Sequence, residues 1–504
     1  MRILFILVSL FFSIFANSQT LFKTYYDDLH QLVKEEFETI DGITKNGKYI
    51  KYFETGEKKI EGTYVENKKS DKWYYYLENG NIEIEAEYNE DIPVGHWQYF
   101  HNNGALKMEG DFLVGQKNKE WKSYYDNGTL NGEGVFDNGN GLYKEYYKNG
   151  NPQRITNYKL GVQEGTVEVY NPNGSILQKA YYKNGLLNDS LILYFPNGKT
   201  KSISFFINGE PDRFLLEYYE NEQLKRHIRY LNKKQEGLTT TYFENGQLRT
   251  EEHYEYGRLN GNYKTYYENG QLETVSFHEN GSKTGSFKTY DEEGNLILEG
   301  MYKLGKLEGT NKAYYPSGKL KHNFTYKNGL RTGVNTEFYE SGNVFSKSTF
   351  SNNDRDHKTT EYYENGNEKS IKEYVNKMPA GKWEYFFENS QLQKELPYEK
   401  GKINGVAKEY YDNGQLLSTI EYTFGIRIGE HTTYFNDGQL KSVQLYKSNK
   451  KHGKYIEYYQ SGKIITQGEY AGNKKVGEWM YFDEKEEKTK SETYKNGKLL
   501  KVEK

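Results

Sequence analysis

The residues to test first for chemistry are the ten histidines, since imidazole both ligates metals and moves protons near neutral pH. They include His30, His96, His227, His322 and His452, and none stands in an H-E-x-x-H or other paired-ligand spacing. The chain has no cysteine, which excludes a disulfide framework, a thiolate metal site and a lipid-modified cysteine. Asn352-Asn353-Asp354-Arg355-Asp356 offers closely spaced side-chain oxygens but lacks the glycine and the closing glutamate of an EF-hand loop, so it reads as a polar turn. Acid pairs such as Glu251-Glu252 belong to charged strand surfaces, no serine lies in a nucleophile elbow, and no glycine cluster makes a phosphate loop. The expectation is a chain that is not an enzyme and needs no metal and no cofactor.

One constellation does stand out. All five tryptophans, Trp73, Trp97, Trp121, Trp383 and Trp479, occupy the same slot of a recurring unit, and Tyr143 continues the row after Trp121. Aromatic rings at a repeated inward slot are ordinarily packing, the broadest side chain covering a thin sheet. The functional alternative makes Trp73, Trp97, Trp121 and Tyr143 a binding track for glycan rings or an extended peptide, with rings two strand spacings, about 9.6 Å, apart.

The elements that would position these rings come from one unit written many times. With Gly246 as position 0, the slot recurs at Gly56, Gly80, Gly104, Gly128, Gly150, Gly174, Gly198, Glu222, Gly270, Gly294, Gly318, Gly342, Gly366, Ser390, Gly414, Gly438 and Gly462. Every step is 24 residues except Gly128 to Gly150, which is 22. A nineteenth, imperfect copy follows at Tyr481-Phe482. Within the unit Leu248 is at +2, Tyr254 at +8, Gly257 at +11, Gly261 at +15, Tyr263 at +17 and Tyr266-Tyr267 at +20 and +21. Tyrosines and β-branched residues without a 3.6-residue apolar period favour strands. Asn-Gly pairs mark two turns per unit, one at +10/+11 (Asn184-Gly185, Asn280-Gly281) and one at position 0 (Asn79-Gly80, Asn269-Gly270).

The fold expected is therefore all-β: an elongated array of about nineteen β-hairpin repeats forming a continuous antiparallel meander sheet. If both turns are symmetric two-residue turns, +8 faces +13, +4 faces +17, and +21 meets +2 of the next unit. Leu248, Tyr254, Tyr263 and Tyr267 then share an apolar face. The other face takes the charges and the +20 rings, each opposite a +3 cation such as Lys201, Lys225, Arg249, Lys321 or Lys441. The short step removes an even number of residues and keeps this facing. Glu222 and Ser390 are expected at positive φ in place of glycine.

The unit G-x-L-x-x-x-x-x-Y-x-x-G-x-x-x-G-x-W/Y-x-x-Y-Y-x-N-G resembles the MORN-repeat variant, and a chain made of such copies resembles the YwqK-like antitoxin family. The likeness covers roughly residues 32 to 500. It implies an extended meander of hairpins used for protein or membrane-associated binding and scaffolding, and the antitoxin family implies neutralising a toxin by binding it.

The first eighteen residues, MRILFILVSLFFSIFANS, have one basic residue, a short apolar core and small residues before Gln19. This pattern reads as a signal peptide, with the mature chain beginning at Gln19 and exported, whether periplasmic, associated with the outer envelope or secreted. Residues 19–47 read as an N-terminal cap leading into the array, and 48–504 as the array with its C-terminal cap, the whole a single domain. Lysine and arginine number 68 against 71 acidic residues, a net charge of −3, and the signs are interspersed. Nucleic acid is not an expected partner of such a surface. The expected role is a protein-interaction or scaffold module with a protein partner, and the alternative is an envelope-glycan module working through the aromatic track.

Overall fold

The computed structural model describes residues 19–504, so the proposed leader over residues 1–18 lies outside them. Among the described residues there are 44 strands and no helix. They form two compact units, one ending at Gly246 and the other beginning at Gln247. Within each unit, strands that follow one another in sequence pair antiparallel, the hairpin meander expected from the repeat. At the start, β1 (Thr20–Tyr25) pairs with β2 (Val33–Thr39), and β2 pairs with β3 (Lys45–Tyr52). Lys23 on β1 meets Glu36 at 3.0 Å, placing a charged pair beside the outer strand, where it discourages further pairing.

The two kinds of turn are built differently. At +10/+11, Asn280 and Gly281 both have positive φ, 50° and 83°, as a two-residue type I′ turn requires. Glu279 accordingly faces Ser282 and His278 faces Lys283, and across the Tyr256-Gly257 turn Glu255 faces Arg258 and Tyr254 faces Leu259. At position 0 the symmetric turn expected from Asn-Gly is not formed. Gly270 N–H donates to the Tyr267 carbonyl at 2.9 Å and Tyr267 N–H donates to the Gln271 carbonyl at 2.9 Å, with Gly270 alone left-handed at φ 88°. This is a type I turn closed by a glycine bulge. It slips the register by one, so +20 rather than +21 pairs with +2, as Tyr266 does with Leu272. Glu222 and Ser390 do take positive φ at this slot, 72° and 69°.

A second departure lies within the hairpin. Beyond Tyr254↔Leu259 the register shifts to Glu252↔Tyr263, so the returning strand carries two extra residues around Gly261, whose φ is 114°. Position +17 therefore faces +6 and not +4. Because the bulge holds two residues, alternation survives it. The 22-residue unit lacks this bulge: Gly134↔Tyr143, Phe136↔Gly141 and Asp137↔Asn140 run in unbroken register. In the unit from Gly342 the two residues move into the turn instead, giving a four-residue loop, Asn352 to Arg355, between Ser351 and Asp356.

Neighbouring units are also tied at both edges of the sheet. On the position-0 side, the Tyr267 hydroxyl donates to the Tyr290 carbonyl at 2.9 Å, and Asn269 Nδ2 donates to the Glu292 carbonyl at 3.0 Å. On the +10 side, Gly281 N–H donates to the Leu259 carbonyl at 2.8 Å, and Asn280 N–H donates to Asn260 Oδ1 at 3.2 Å. Similar bonds recur along the chain, so each hairpin is clamped by the one before it as well as by its strand ladder.

Candidate functional site

The tryptophan row is the core. Trp73 and Trp121 are 1% exposed and Trp97 is 7% exposed, and Tyr143 is half-buried. Each indole N–H donates to a carbonyl ten residues upstream, Trp73 to Thr63 at 3.2 Å, Trp97 to Glu87 at 3.1 Å and Trp121 to Asp111 at 2.9 Å. The ring lies over the small residue at +6 where that is glycine, Gly62 under Trp73, Gly110 under Trp121 and Gly468 under Trp479, and Ala86 holds the same position for Trp97 within one buried cluster. A Cβ on Gly62 would sit 2.2 Å from Trp73 Cδ2. Trp383 is the exception that fits the rule, because Lys372 stands at its +6, and the indole is only half-buried. The row is brought together as expected, but no broad ring face of Trp73 or Trp121 is open to a sugar.

Lysines complete the cover. Position +13 faces +8, and Lys69, Lys117 and Lys475 set their ammonium groups 4.8, 4.4 and 4.0 Å from the centroids of Trp73, Trp121 and Trp479. The apolar face thus carries a row of cations that the sequence reading had assigned to the other side. The +20 hydroxyls on that other side donate to +5 carboxylates, as Tyr266 does to Glu251 at 2.8 Å and Tyr314 to Glu299 at 2.7 Å. Lys264, also at 2.8 Å, and then Tyr266 hold the Glu251 carboxyl below its ordinary range, against a partial desolvation that raises it. The +3 cations do not cover +20 rings. The slipped turn carries +21 to them instead, so Lys225 lies 5.4 Å from Tyr219 and Lys321 5.5 Å from Tyr315, and Tyr267 and its equivalents leave the apolar set.

Two features could take a ligand or a partner. The first is a depression of about 500 Å³ beside the shortened unit, lined among others by Phe112, Lys117, Ser123, Phe136, Tyr143 and Glu145. It adjoins the hairpin that lacks the bulge, whose Phe136, Tyr143 and Glu145 form part of its lining. The second is the row of +10/+11 turns. The first residue of a type I′ turn is ordinarily asparagine, aspartate or glycine. Here Val114, Leu160, Tyr256, Leu304 and Phe424 hold that slot at φ between 45° and 50°, with exposures from 43% at Phe424 to 76% at Leu304. Flanking +9 and +12 residues such as Leu113, Val162, Leu186, Leu330, Met378 and Ile426 are exposed as well. Sequence reasoning treated these turns as structural punctuation. The signal was present in the apolar residues standing where asparagine belongs.

The polar loop at Asn352–Asp356 is closed on itself. Asp356 accepts from Asn352 Nδ2 at 3.1 Å and from the Asn376 amide at 2.7 Å, and Asp354 pairs with Lys377 at 3.3 Å. Among the described residues no group of histidine and acidic side chains could hold a metal ion. His96 is a cross-strand partner of Asp111 at 2.8 Å.

The pattern of the MORN repeat variant matches twelve segments, residues 117–138, 140–160, 163–184, 235–256, 259–280, 283–304, 307–328, 331–352, 380–400, 403–423, 427–448 and 451–471, together just over half of the chain. The match is to the repeat and does not extend to the YwqK-like antitoxin likeness. No curated protein matches. Among solved structures, the chain is similar to TcdB2-TccC3-Cdc42 at 11% identity, covering 95% of this chain and 30% of that one, with a TM-score of 0.14. It is similar to the Tc holotoxin pore of Photorhabdus luminescens at 13% identity, covering 94% and 31%, with a TM-score of 0.11. A eukaryotic initiation factor is similar at 10% identity over 77% of this chain and 86% of the other, with a TM-score of 0.13. The chain spans about 30% of the length of the first of these, and superpositions this loose carry no argument about partners.

Proposed function

The chain belongs to the MORN repeat variant family, and from that premise we propose that it is a non-catalytic, exported interaction module that docks a partner protein along its +10/+11 turns. The observation that carries this reading is the pairing of two unfavourable choices at one slot. Leu160 and Leu304 expose apolar side chains to water and hold a backbone conformation that costs an L-residue about 1–2 kcal/mol. Strain and exposure that recur at one place are what a binding surface leaves behind, because selection for stability alone would remove both. The opposite row of turns, at position 0, is polar, with Glu268-Asn269-Gly270 representative. A partner that presents apolar side chains at the spacing of successive turns fits the +10 row.

The test uses the full chain with Leu160→Asn and Leu304→Asn together. Asparagine suits the backbone and removes the apolar tips, so the variant should melt slightly higher than the parent and lose capture of its partner from an envelope fraction. Equal capture by both proteins would refute the docking edge. A role in packing alone is separated by the sign of the stability change.

A further inference from the structure

We propose that the depression beside the shortened repeat binds a small zwitterion of the amino-acid type carrying an apolar side chain. Gly115, Gly139 and Gly161 of three +10/+11 turns line one part of the depression, but the groups that would hold the ligand, Lys117 and Glu145, are strand residues and not turn tips, so the two proposals are tested by different variants.

Three lysines lie over tryptophan rings, and two of them have an oxygen to bind. Lys69 donates to the Tyr75 hydroxyl at 2.8 Å and Lys475 to the Tyr481 hydroxyl at 3.1 Å. Both tyrosines are at +19. For Lys117 the +19 residue is Ser123, too short to reach, and its Oγ already accepts the Tyr143 hydroxyl at 2.7 Å. The Lys117 ammonium has no hydrogen-bond acceptor or ion-pair partner among the described residues. It is surrounded by Trp121, Tyr143 and Phe136 at 4.4, 5.4 and 5.6 Å. Burial pushes its pKa down, and the charge of Glu145 only partly offsets that. An ammonium in this setting gains most from an anionic oxygen brought in by a ligand.

A simple anion is not the best fit, because a carboxylate lines the same depression. Glu145, at +19 of the shortened unit, has no hydrogen bond or ion pair of its own among the described residues, and it does not come within the 4.0 Å of an ion pair with Lys117. The depression therefore presents one unpaired cation and one unpaired anion, separated, across a space of about 500 Å³. That volume is within the range of small-molecule sites. Phe112, Phe136 and Tyr158 supply the apolar wall. A ligand carboxylate on Lys117, a ligand ammonium on Glu145 and an apolar side chain against the rings would satisfy all three parts together.

The probe is L-phenylalanine, titrated calorimetrically into the full chain, with 3-phenylpropionate and 2-phenylethylamine as analogues that each keep one charge. Saturable binding of phenylalanine is expected, with each analogue weaker by about tenfold or more, since each leaves one of the two charges unpaired. Lys117→Met should bring phenylalanine down to the level of phenylethylamine, and Glu145→Gln to that of phenylpropionate. Inserting two residues between Gly141 and Leu142 restores the 24-residue spacing and should abolish binding while leaving the β-sheet circular dichroism unchanged. Phenylpropionate binding as tightly as phenylalanine, or no saturable heat up to about 10 mM, near the weak end of measurable affinity, would overturn the proposal. The analogue comparison is made on the unaltered protein, so it decides the matter even where a variant fails to fold.

Discussion

The pairing of +6 with +17 makes a prediction with a worked magnitude. In the Gly62/Trp73 pair the glycine leaves room for the indole, and a methyl group there would lie 2.2 Å from Cδ2. In the next unit, where Ala86 stands at +6, the indole of Trp97 is 7% exposed against 1% for Trp73, so the sheet accommodates such a methyl. Gly62→Ala should therefore cost about 1 kcal/mol, the low end of overpacking. Trp73→Leu removes the ring, its contact with Tyr64 at 4.8 Å between centroids and its two hydrogen bonds, and should cost about 3 kcal/mol. The double variant rebuilds a pair the chain already uses, Ala180 facing Leu191. The added methyl then fills the space the ring vacated, so the double loss should fall short of the sum of the single losses by about 1.5 kcal/mol. Urea melts followed by circular dichroism measure all four proteins. Losses that add to within about 0.3 kcal/mol would mean that the two sites do not share space, and the complementarity argued here would be refuted.

Other consequences are as direct. Leu304→Asn should raise stability by about 1 kcal/mol in a urea melt, because φ of 49° suits asparagine better than leucine. Stability should also fall at both pH extremes. Lys264 and Tyr266 lower the Glu251 carboxyl, and Tyr170 and Lys179 lower that of Glu168, so their contribution is present above the ordinary glutamate value, about 4.3, and is lost as pH falls through the depressed one. Burial, then the partner carboxylate, pushes Tyr76 and Tyr314 up to about 12, so their contribution is whole below the ordinary tyrosine value, about 10, and is lost as pH rises through the raised one. Thermal melts across pH check this, and Glu299→Gln should lower the Tyr314 transition in a tyrosinate absorbance titration. Deleting Gln271 to Gly294 removes one whole hairpin and should leave a soluble protein that still melts cooperatively, whereas deleting Gln271 to Ser282 reverses every later strand and should aggregate or split the transition. Like behaviour of the two deletions would sink the two-strand unit.

Much of this architecture was legible because the period and the Asn-Gly turns fix strand count and direction, and a period-2 rule fixes which residues share a face. The register was not legible in full. Two kinds of bulge intervene, and a glycine at position 0 or +15 looks the same in a sequence whether it sits in a tight turn, closes a type I turn or carries a bulge. The clue was the 22-residue step, which shows that two adjacent residues are dispensable together. The tryptophans were found as a constellation, but their meaning lay in a second column: small residues at Gly62, Ala86, Gly110 and Gly468, and a lysine only at Lys372. The cation row at +13 followed from the rule that +8 faces +13, and was missed because charge was assigned wholesale to one side. The depression could not be read from sequence, since it adjoins a hairpin whose missing bulge shows only against its neighbours.

The way neighbouring units are clamped explains how the +10 turns can carry residues that their backbone disfavours. An isolated hairpin with leucine or phenylalanine at a left-handed position would relax to another turn, since the strain is comparable with the stability of a lone hairpin. Here the amide of that residue is held by the preceding unit. Leu160 N–H donates to Asn140 Oδ1 at 3.1 Å, and Phe424 N–H donates to Asn404 Oδ1 at 3.1 Å. The next residue is held as well, Gly161 N–H by the Gly139 carbonyl at 2.9 Å and Gly425 N–H by the Ile403 carbonyl at 2.7 Å. The conformation is thus imposed by the array and not chosen by the turn sequence. This frees the +10 slot to vary while the sheet stays in register. It also means that Asn140→Ala should loosen the Leu160 turn without touching its own side chain, which amide hydrogen exchange at Leu160 and Gly161 would register as faster opening. Unchanged protection there would show that the turn holds itself.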